Sequence, residues 1–127
     1  MIVAGLGFRN GTTADELEQV VRLALGSFDV PADRLRAIAT ASTKATEPVV
    51  PELGRRLATS VVACSLDELA GMAGRVPTQS QRVASAKGVP SIAEAAALVA
   101  AGRNGRLLGK RIATRQATCA IAIGEGK

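Results

Sequence analysis

The first half of the sequence repeats one pattern three times: a short apolar run, a polar loop, and a segment whose apolar residues follow helical spacing. The apolar runs lie at residues 1–6, 35–40 and 60–64, and each has the length of a single buried strand. Strands that alternate with helices favour an α/β fold with parallel strands and right-handed crossovers. No other feature restricts the possible folds as strongly.

Two pairs of side chains predict where helices begin. Thr13 is followed by Glu16 and Ser65 by Glu68, a spacing that forms a capping box and satisfies the first free N–H groups of a helix. The segment after Thr13 places six apolar side chains on one helical face: Leu17, Val20, Val21, Ala24, Leu25 and Phe28. A further helix is predicted at Pro48, a residue that suits the first turn.

The second half departs from this repetition. Residues 78–87 are polar and only weakly helical, whereas residues 92–101 are apolar nearly all round and predict a buried helix. Residues 107–114 and 117–123 are typical of an antiparallel hairpin that closes a mixed sheet. The prediction is a single three-layer α/β domain over residues 1–127, with a mixed, mostly parallel sheet, helices on both faces and a C-terminal β-hairpin.

Composition excludes several classes of function. The chain has no His, so it lacks Ser-His-Asp and Cys-His catalytic pairings and the commonest metal ligand. Phe8 and Phe28 are its only aromatic residues, which argues against recognition of single-stranded nucleic acid by base stacking. We therefore expect no metal site, no bound cofactor and no nucleic-acid partner.

The cysteines and the N-terminus bear on location. Cys64 and Cys119 each lie in an apolar run without CxxC spacing, which is typical of buried free thiols in a reducing compartment. The apolar N-terminus lacks a basic region and is too short for a signal sequence, and no run approaches the roughly 20 residues of a membrane span. The expectation is a cytoplasmic protein that does not enter a membrane.

Charge is distributed unevenly along the chain. Residues 1–74 hold seven basic and nine acidic side chains, whereas residues 75–127 hold nine basic and two acidic ones. Such an excess indicates an anionic partner: nucleic acid, an acidic protein or a polycarboxylate small molecule. The alternative is that the charges are solvated and only maintain solubility.

The first loop carries a glycine pattern typical of anion binding. Gly5, Gly7 and Gly11 lie between a predicted strand and a predicted helix, where backbone N–H groups can surround a phosphate or carboxylate. Arg9 lies inside the pattern and adds a cation. The spacing differs from G-x-G-x-x-G and the second strand does not end in an acidic residue, so a dinucleotide is disfavoured. A tight glycine turn without a ligand is the other interpretation.

Two further places hold candidate polar residues. Lys44 and Glu47 follow the second strand, at the sheet edge where open α/β sheets bind ligands. Lys44 would bind a carboxylate, with Glu47 as a base or as a group that orients it. The alternative is a solvated lysine beside a glutamate that favours the helix dipole. Ser91 and Glu94 open the buried helix, either as ligand-binding residues or as a simple capping box.

Taken together, these motifs resemble a known family. GLGFRNGT at residues 5–12, KATE at residues 44–47 and VPSIAEAAAL at residues 89–98 are similar, in this order, to the CobE/CbiG C-terminal family of cobalamin biosynthesis. The likeness extends over the whole chain. Its length resembles the standalone form, since there is no room for the additional N-terminal and central regions of CbiG.

The resemblance implies a role in building the corrin ring. Precorrin intermediates are macrocycles with acetate and propionate side chains, so the implied ligand is a polyanion, which agrees with the basic second half. Proteins of the CbiG type open a ring lactone and release a two-carbon fragment as acetaldehyde. Two roles follow from the resemblance: binding or carrying a precorrin or corrinoid, with other cobalamin-pathway enzymes as partners, or hydrolysing it.

The residue inventory favours binding. Lactone hydrolysis needs a nucleophile, a base and an oxyanion site, and without His the candidate bases are Lys44, Glu47 and Glu94. Carboxylate binding needs only cations and backbone donors. We predict that four side chains help to hold peripheral carboxylates: Arg9, Thr12, Lys44 and Lys110. A cobalt-precorrin-5A hydrolase-like enzyme that uses Lys44 and Glu47, and a basic nucleic-acid binder, are the alternatives.

Overall fold

The computed structural model describes residues 1–75 and 92–126. This part of the chain contains the helices α1 (Ala14–Ser27), α2 (Ser42–Ala45), α3 (Val49–Leu57), α4 (Leu66–Ala70) and α5 (Ile92–Ala101). Its strands are β1 (Ile2–Phe8), β2 (Leu35–Ala41), β3 (Ser60–Cys64), β4 (Arg106–Leu107), β5 (Ile112–Ala113) and β6 (Ala117–Ile123). Two 3-10 turns occupy Ala32–Arg34 and Ala73–Arg75. The weakly helical segment predicted at residues 78–87 lies outside the described residues.

The strands form one mixed sheet in the order β3-β2-β1-β6-β4, with β5 also paired to β6. β1, β2 and β3 are mutually parallel. β6 is antiparallel to β1, to β4 and to β5. Among the described strands, β6 alone therefore runs against the others, and the prediction of a mixed, mostly parallel sheet is confirmed.

The C-terminal hairpin is present, with an interruption in its first strand. The predicted strand at residues 107–114 is divided into β4 and β5, which follow one another along the same edge of β6. Gly109 lies between them, and a Cβ at this position would come within 2.7 Å of the Phe28 ring. The interruption therefore coincides with a glycine that makes room for the aromatic residue at the end of α1.

Helices cover both faces of the sheet, as predicted. Ile2, Ala4 and Leu6 of β1 pack with the apolar faces of α1 and α3, while Val3 points to the opposite face and packs with α5. This alternation is the period of two expected of a strand buried on both sides. Both predicted capping boxes are formed, at the starts of α1 and α4.

The sheet face beneath α5 is built from small side chains: Ala37, Ala39, Ala120 and Ala122. At its centre, a Cβ on Gly5 would lie 1.9 Å from the carbonyl oxygen of Ala93 and 2.5 Å from the backbone nitrogen of Ala97. The helix backbone therefore approaches the strand directly. Residues 93–101 are all buried, which confirms the predicted buried helix.

Candidate functional site

Five strand ends meet at one edge of the sheet. The carboxyl ends of β1, β2, β3 and β5 lie there, and the amino end of β6 joins them because β6 runs the opposite way. Gly7 pairs with Thr118 and Phe8 with Ala117, so the turn before β6 lies beside the loop after β1. Open α/β sheets bind ligands outside the carboxyl ends of their strands. We call this region, formed by residues 7–12, 42–47 and 114–118, the carboxyl edge.

A pocket of about 220 Å³ opens at the carboxyl edge. One wall is the end of β1, with Gly7, Phe8 and Arg9, and the other is the turn and first residues of β6, residues 114–118. Within the described part of the chain, neither the guanidinium of Arg9 nor that of Arg115 has a hydrogen bond or an ion pair. Two unpaired guanidinium groups beside hydroxyl and amide side chains suit an anion, and a planar carboxylate above all.

Backbone hydrogen bonds hold the two walls in place. The Arg9 N–H donates to the carbonyl oxygen of Gln116 at 3.1 Å and so joins the loop to the turn. The turn itself is closed by Thr114, whose backbone N–H and hydroxyl donate to the carbonyl oxygen of Ala117 at 2.8 and 3.2 Å. Arg9 and Arg115 are therefore carried by backbone that is ordered before any ligand arrives.

The loop after β1 is shaped by its own residues. The Thr12 hydroxyl donates to the carbonyl oxygen of Arg9 at 2.6 Å, and Thr12 is buried. Gly11 has φ +85°, a left-handed conformation that glycine adopts without strain. Both residues were predicted to bind ligand. In the structure they shape the loop that carries Arg9, and the Thr12 hydroxyl is already hydrogen-bonded within that loop.

Lys44 is held by groups from two loops. Its ammonium donates to Asn10 Oδ1 at 2.6 Å, lies 3.4 Å from a carboxylate oxygen of Glu47, and sits 4.8 Å from the centre of the Phe8 ring. The last distance allows a cation–π interaction. Lys44 and Glu47 therefore lie close together, as predicted. Lys44 itself does not line the pocket, but it contacts Phe8, which does.

The other predicted site residues are dispersed. Gly7 lines the pocket, whereas Gly5 is buried beneath α5. Glu94 is fully buried in the first turn of α5. Lys110 is exposed in the connection between β4 and β5 and is not among the residues that line the pocket. Ser91 lies outside the described residues.

The turn before β6 has little signal in the sequence. Residues 114–116 are typical only of the bend of a hairpin, and the basic excess of residues 75–127 is the one hint that Arg115 contributes to a site. Whether this bend reaches the carboxyl edge depends on the neighbour that β6 selects. The structure pairs β6 with β1, so that Thr118 donates a hydrogen bond to Gly7, 111 positions earlier in the chain.

Other chemistries find less support in this part of the chain. Cys64 and Cys119 are both buried free thiols, as predicted, and burial raises the pKa of the Cys119 thiol, which makes it a poor nucleophile. Residues 1–75 and 92–126 contain no group of three or more side chains able to hold a metal ion. Their helices are all too short or too polar to cross a bilayer.

The chain matches one protein family over almost its entire length. The family model described as the cobalamin synthesis G C-terminus matches residues 2–122. Protein CobE of Sinorhizobium sp. is 31% identical over 121 residues, which is 95% of this chain and 79% of that protein.

Solved structures show the same fold. The crystal structure of CobE, a protein from the cobalamin biosynthetic pathway, matches with a TM-score of 0.90 and 28% identity, over 100% of this chain and 92% of that one. Cobalamin biosynthesis protein chiG from Agrobacterium tumefaciens matches with a TM-score of 0.77 and 35% identity, over 98% and 99%. A cobalamin biosynthesis protein G homolog from Sulfolobus solfataricus, 22% identical, matches with a TM-score of 0.77 over 98% of this chain and 37% of its own. At that identity the last match concerns the fold alone.

Proposed function

The chain belongs to the cobalamin synthesis G C-terminus family, and on this basis we propose that it binds a polycarboxylate precorrin or corrinoid intermediate at the carboxyl edge. It is a protein of the cobalamin biosynthesis pathway. The proposed role is to bind or carry the intermediate during corrin-ring formation, between enzymes of the pathway that deliver and receive it. A cytoplasmic location belongs to the proposal, because two free thiols suit a reducing compartment.

One observation carries this proposal: Arg9 and Arg115 line a pocket at the carboxyl edge, and neither guanidinium has a partner among residues 1–75 and 92–126. Arg56 differs from them, because its guanidinium contacts the carboxylates of Asp15 and Glu18. Arg9 and Arg115 have no such acceptor among the described residues, so their hydrogen-bonding capacity is available to a ligand. Peripheral carboxylates of a tetrapyrrole supply the matching acceptors.

Binding requires less of this site than catalysis does. The chain has no His that could act as a base. Lys44 already donates a hydrogen bond to Asn10 and forms an ion pair with Glu47. Glu94 is fully buried. Glu47 is then the one remaining candidate base of the three, and it already contacts Lys44, whereas cations for carboxylates are present.

A precorrin lactone hydrolase or lyase that releases a two-carbon fragment is the second candidate. It is favoured by one geometric fact, the 3.4 Å contact between Lys44 and Glu47 at the carboxyl edge. In this role Glu47 would take a proton from water while Lys44 stabilises the developing negative charge. The two roles differ in whether the mass of the ligand changes.

The test is to mix the purified protein with a panel of precorrins and late corrinoids, record absorption spectra, and follow ligand mass by LC–MS. A spectral shift with unchanged mass supports binding. A new mass, and above all the loss of a two-carbon fragment, overturns the carrier role in favour of the hydrolase. If no ligand of the panel shifts the spectrum, the proposed function is wrong.

Variants locate the site within the same assay. Arg9→Gln and Lys44→Gln each remove one positive charge at the carboxyl edge. Arg103→Gln removes the same charge from an exposed position beside Gly102, at the opposite end of the sheet. Weaker binding in the first two variants and not in the third supports the proposal, and equal affinity in all three contradicts it. Competition by duplex DNA that disappears with added salt would show only generic electrostatics.

A further inference from the structure

We propose that the pocket between Arg9 and Arg115 receives one short aliphatic carboxylate arm of the ligand, while the macrocycle stays outside. This inference rests on the proposed function and deepens it. The pocket has a volume of about 220 Å³, smaller than the roughly 300–1,000 Å³ of pockets that enclose a drug-sized ligand. A tetrapyrrole macrocycle does not fit this space, but a side chain of a few heavy atoms does.

The lining of the pocket matches the two parts of such an arm. An acetate or propionate side chain has an apolar methylene stem and a charged end. Phe8 and Ala117 supply apolar surface for the stem, and Arg9 and Arg115 supply donors for the carboxylate. No acidic residue occurs among the described residues that line the pocket, so nothing there repels an anion.

Arg115 is the specificity-determining residue of this arrangement. A guanidinium presents parallel N–H groups that match the two oxygens of a carboxylate, which a lysine ammonium cannot do. The turn that carries Arg115 is closed by Thr114 and tied to Arg9 through Gln116. Because both walls are already ordered, little conformational freedom is lost when the carboxylate binds.

The experiment uses two probes on the intact protein. Glutarate carries short carboxylate arms without a macrocycle, and its diamide is the uncharged control. Uroporphyrin carries acetate and propionate arms on a macrocycle, and its methyl ester is the uncharged control. Amide chemical shifts from 1H–15N NMR locate each probe, and absorption titrations give the affinity for uroporphyrin in the wild type and in Arg115→Gln, Arg115→Lys and Arg103→Gln.

The expected result is specific to the pocket. Glutarate shifts the amides of residues 7–9 and 114–118, and its diamide does not. Arg115→Gln weakens uroporphyrin binding about tenfold or more, because a charge-assisted bidentate contact is lost. Arg115→Lys gives an intermediate loss of affinity, since lysine keeps the positive charge but lacks the two parallel N–H donors of the guanidinium. Arg103→Gln changes the affinity by less than about twofold, because it lies at the far end of the sheet, where salt screens its charge.

The outcomes separate this inference from the proposed function. If uroporphyrin binds, but Arg115→Gln and Arg103→Gln have the same affinity for it, the ligand binds elsewhere. The pocket assignment is then wrong, while the proposed binding role remains supported. If glutarate shifts the pocket amides but neither uroporphyrin nor any corrinoid binds, the carboxylate pocket is real and the proposed function fails. If Arg115→Lys binds as tightly as the wild type, charge alone matters and the bidentate contact is refuted.

Discussion

The arginines on the surface shared by α1 and α3 contact acidic side chains, whereas those at the carboxyl edge contact none among the described residues. Arg56 of α3 contacts Asp15 at 2.5 Å and Glu18 at 3.4 Å, both on α1, and Glu52 on its own helix at 3.2 Å. Arg55 contacts Glu52 at 2.5 Å. We call this group, with the Arg22–Glu18 pair, the paired face. Its hydrogen bonds raise the pKa of Arg56, first through Asp15 and then through Glu52.

The carboxyl edge shows the opposite arrangement. Arg9 and Arg115 flank a pocket, and no described acid contacts them. At the paired face each arginine has an acidic residue three or four positions away on its own helix, and Arg56 also contacts acids on the neighbouring helix. These cations therefore form ion pairs within the fold. A positive charge is therefore a candidate for ligand binding only where the fold leaves it without an acceptor. The net charge of +5 does not make that distinction.

The most destabilising change should be one that forces α5 away from the sheet. Gly5→Ala places a Cβ 1.9 Å from the backbone of α5, which cannot move without losing its packing on the sheet. We expect a loss of about 3 kcal/mol or more in the free energy of unfolding, measured by urea denaturation. Gly26→Ala in α1 is the control, because no atom lies within 4 Å of its new Cβ. It should stabilise by about 0.5–1 kcal/mol, and similar destabilisation by both changes would refute the close approach.

Removing an unpaired cation should affect ligand affinity and leave stability alone. Arg9→Gln is expected to weaken corrinoid or uroporphyrin binding about tenfold, because one charge-assisted contact is lost. Its urea midpoint should equal that of the wild type, since the Arg9 guanidinium has no hydrogen bond or ion pair with a described residue. A shifted midpoint would mean that Arg9 serves the fold after all.

Removing a paired cation should lower stability and leave ligand affinity unchanged. Arg56→Gln breaks the contacts with Asp15 and Glu18, which join α1 to α3, and the contact with Glu52 within α3. The urea midpoint should therefore fall slightly. Ligand affinity should match that of the wild type in the absorption titration. If Arg56→Gln weakens binding as much as Arg9→Gln, the distinction between the two regions is lost.

The smallest expected effect is a pH dependence confined to the paired face. Hydrogen bonds from Arg55 and then Arg56 lower the pKa of Glu52 below its ordinary 4.5. The folded state thus favours the carboxylate, and this stabilisation is present above pH 4.5 and disappears as the pH falls through the lowered pKa. Glu52→Gln should therefore be less stable than the wild type at about pH 7, and this difference should shrink as the pH falls below 4.5. Urea midpoints across this range measure the effect, and a constant difference at all pH values would contradict it.

Much of the fold follows from local sequence signals. Thr13 with Glu16 marks the start of α1, and the apolar spacing after Thr13 defines its buried face. The capping box at Ser65 marks α4 in the same way. The polar loop predicted after the apolar run at residues 35–40 is partly helical, because residues 42–45 form α2. Lys44 nevertheless reaches Glu47, as its position along the chain suggests.

The candidate site was only half predictable. Arg9 and Gly7 belong to a motif that follows a strand, so their place at the carboxyl edge could be inferred. Gly5 belongs to the same motif, yet its missing side chain makes room for α5, a contact between distant segments. Arg115 has no local signal, because its position depends on which strand lies beside β6.

Local patterns in the sequence therefore predict most of the elements, namely the three parallel strands, the capped helices and the buried α5, together with the basic character of the second half. These depend on side chains a few positions apart, whose interactions are the same wherever the element packs. Tertiary structure alone decided that β6 lies antiparallel beside β1, which brings the turn with Arg115 against the loop with Arg9. This pairing depends on backbone hydrogen bonds and packing between segments about a hundred residues apart. Short-range sequence patterns therefore do not predict it.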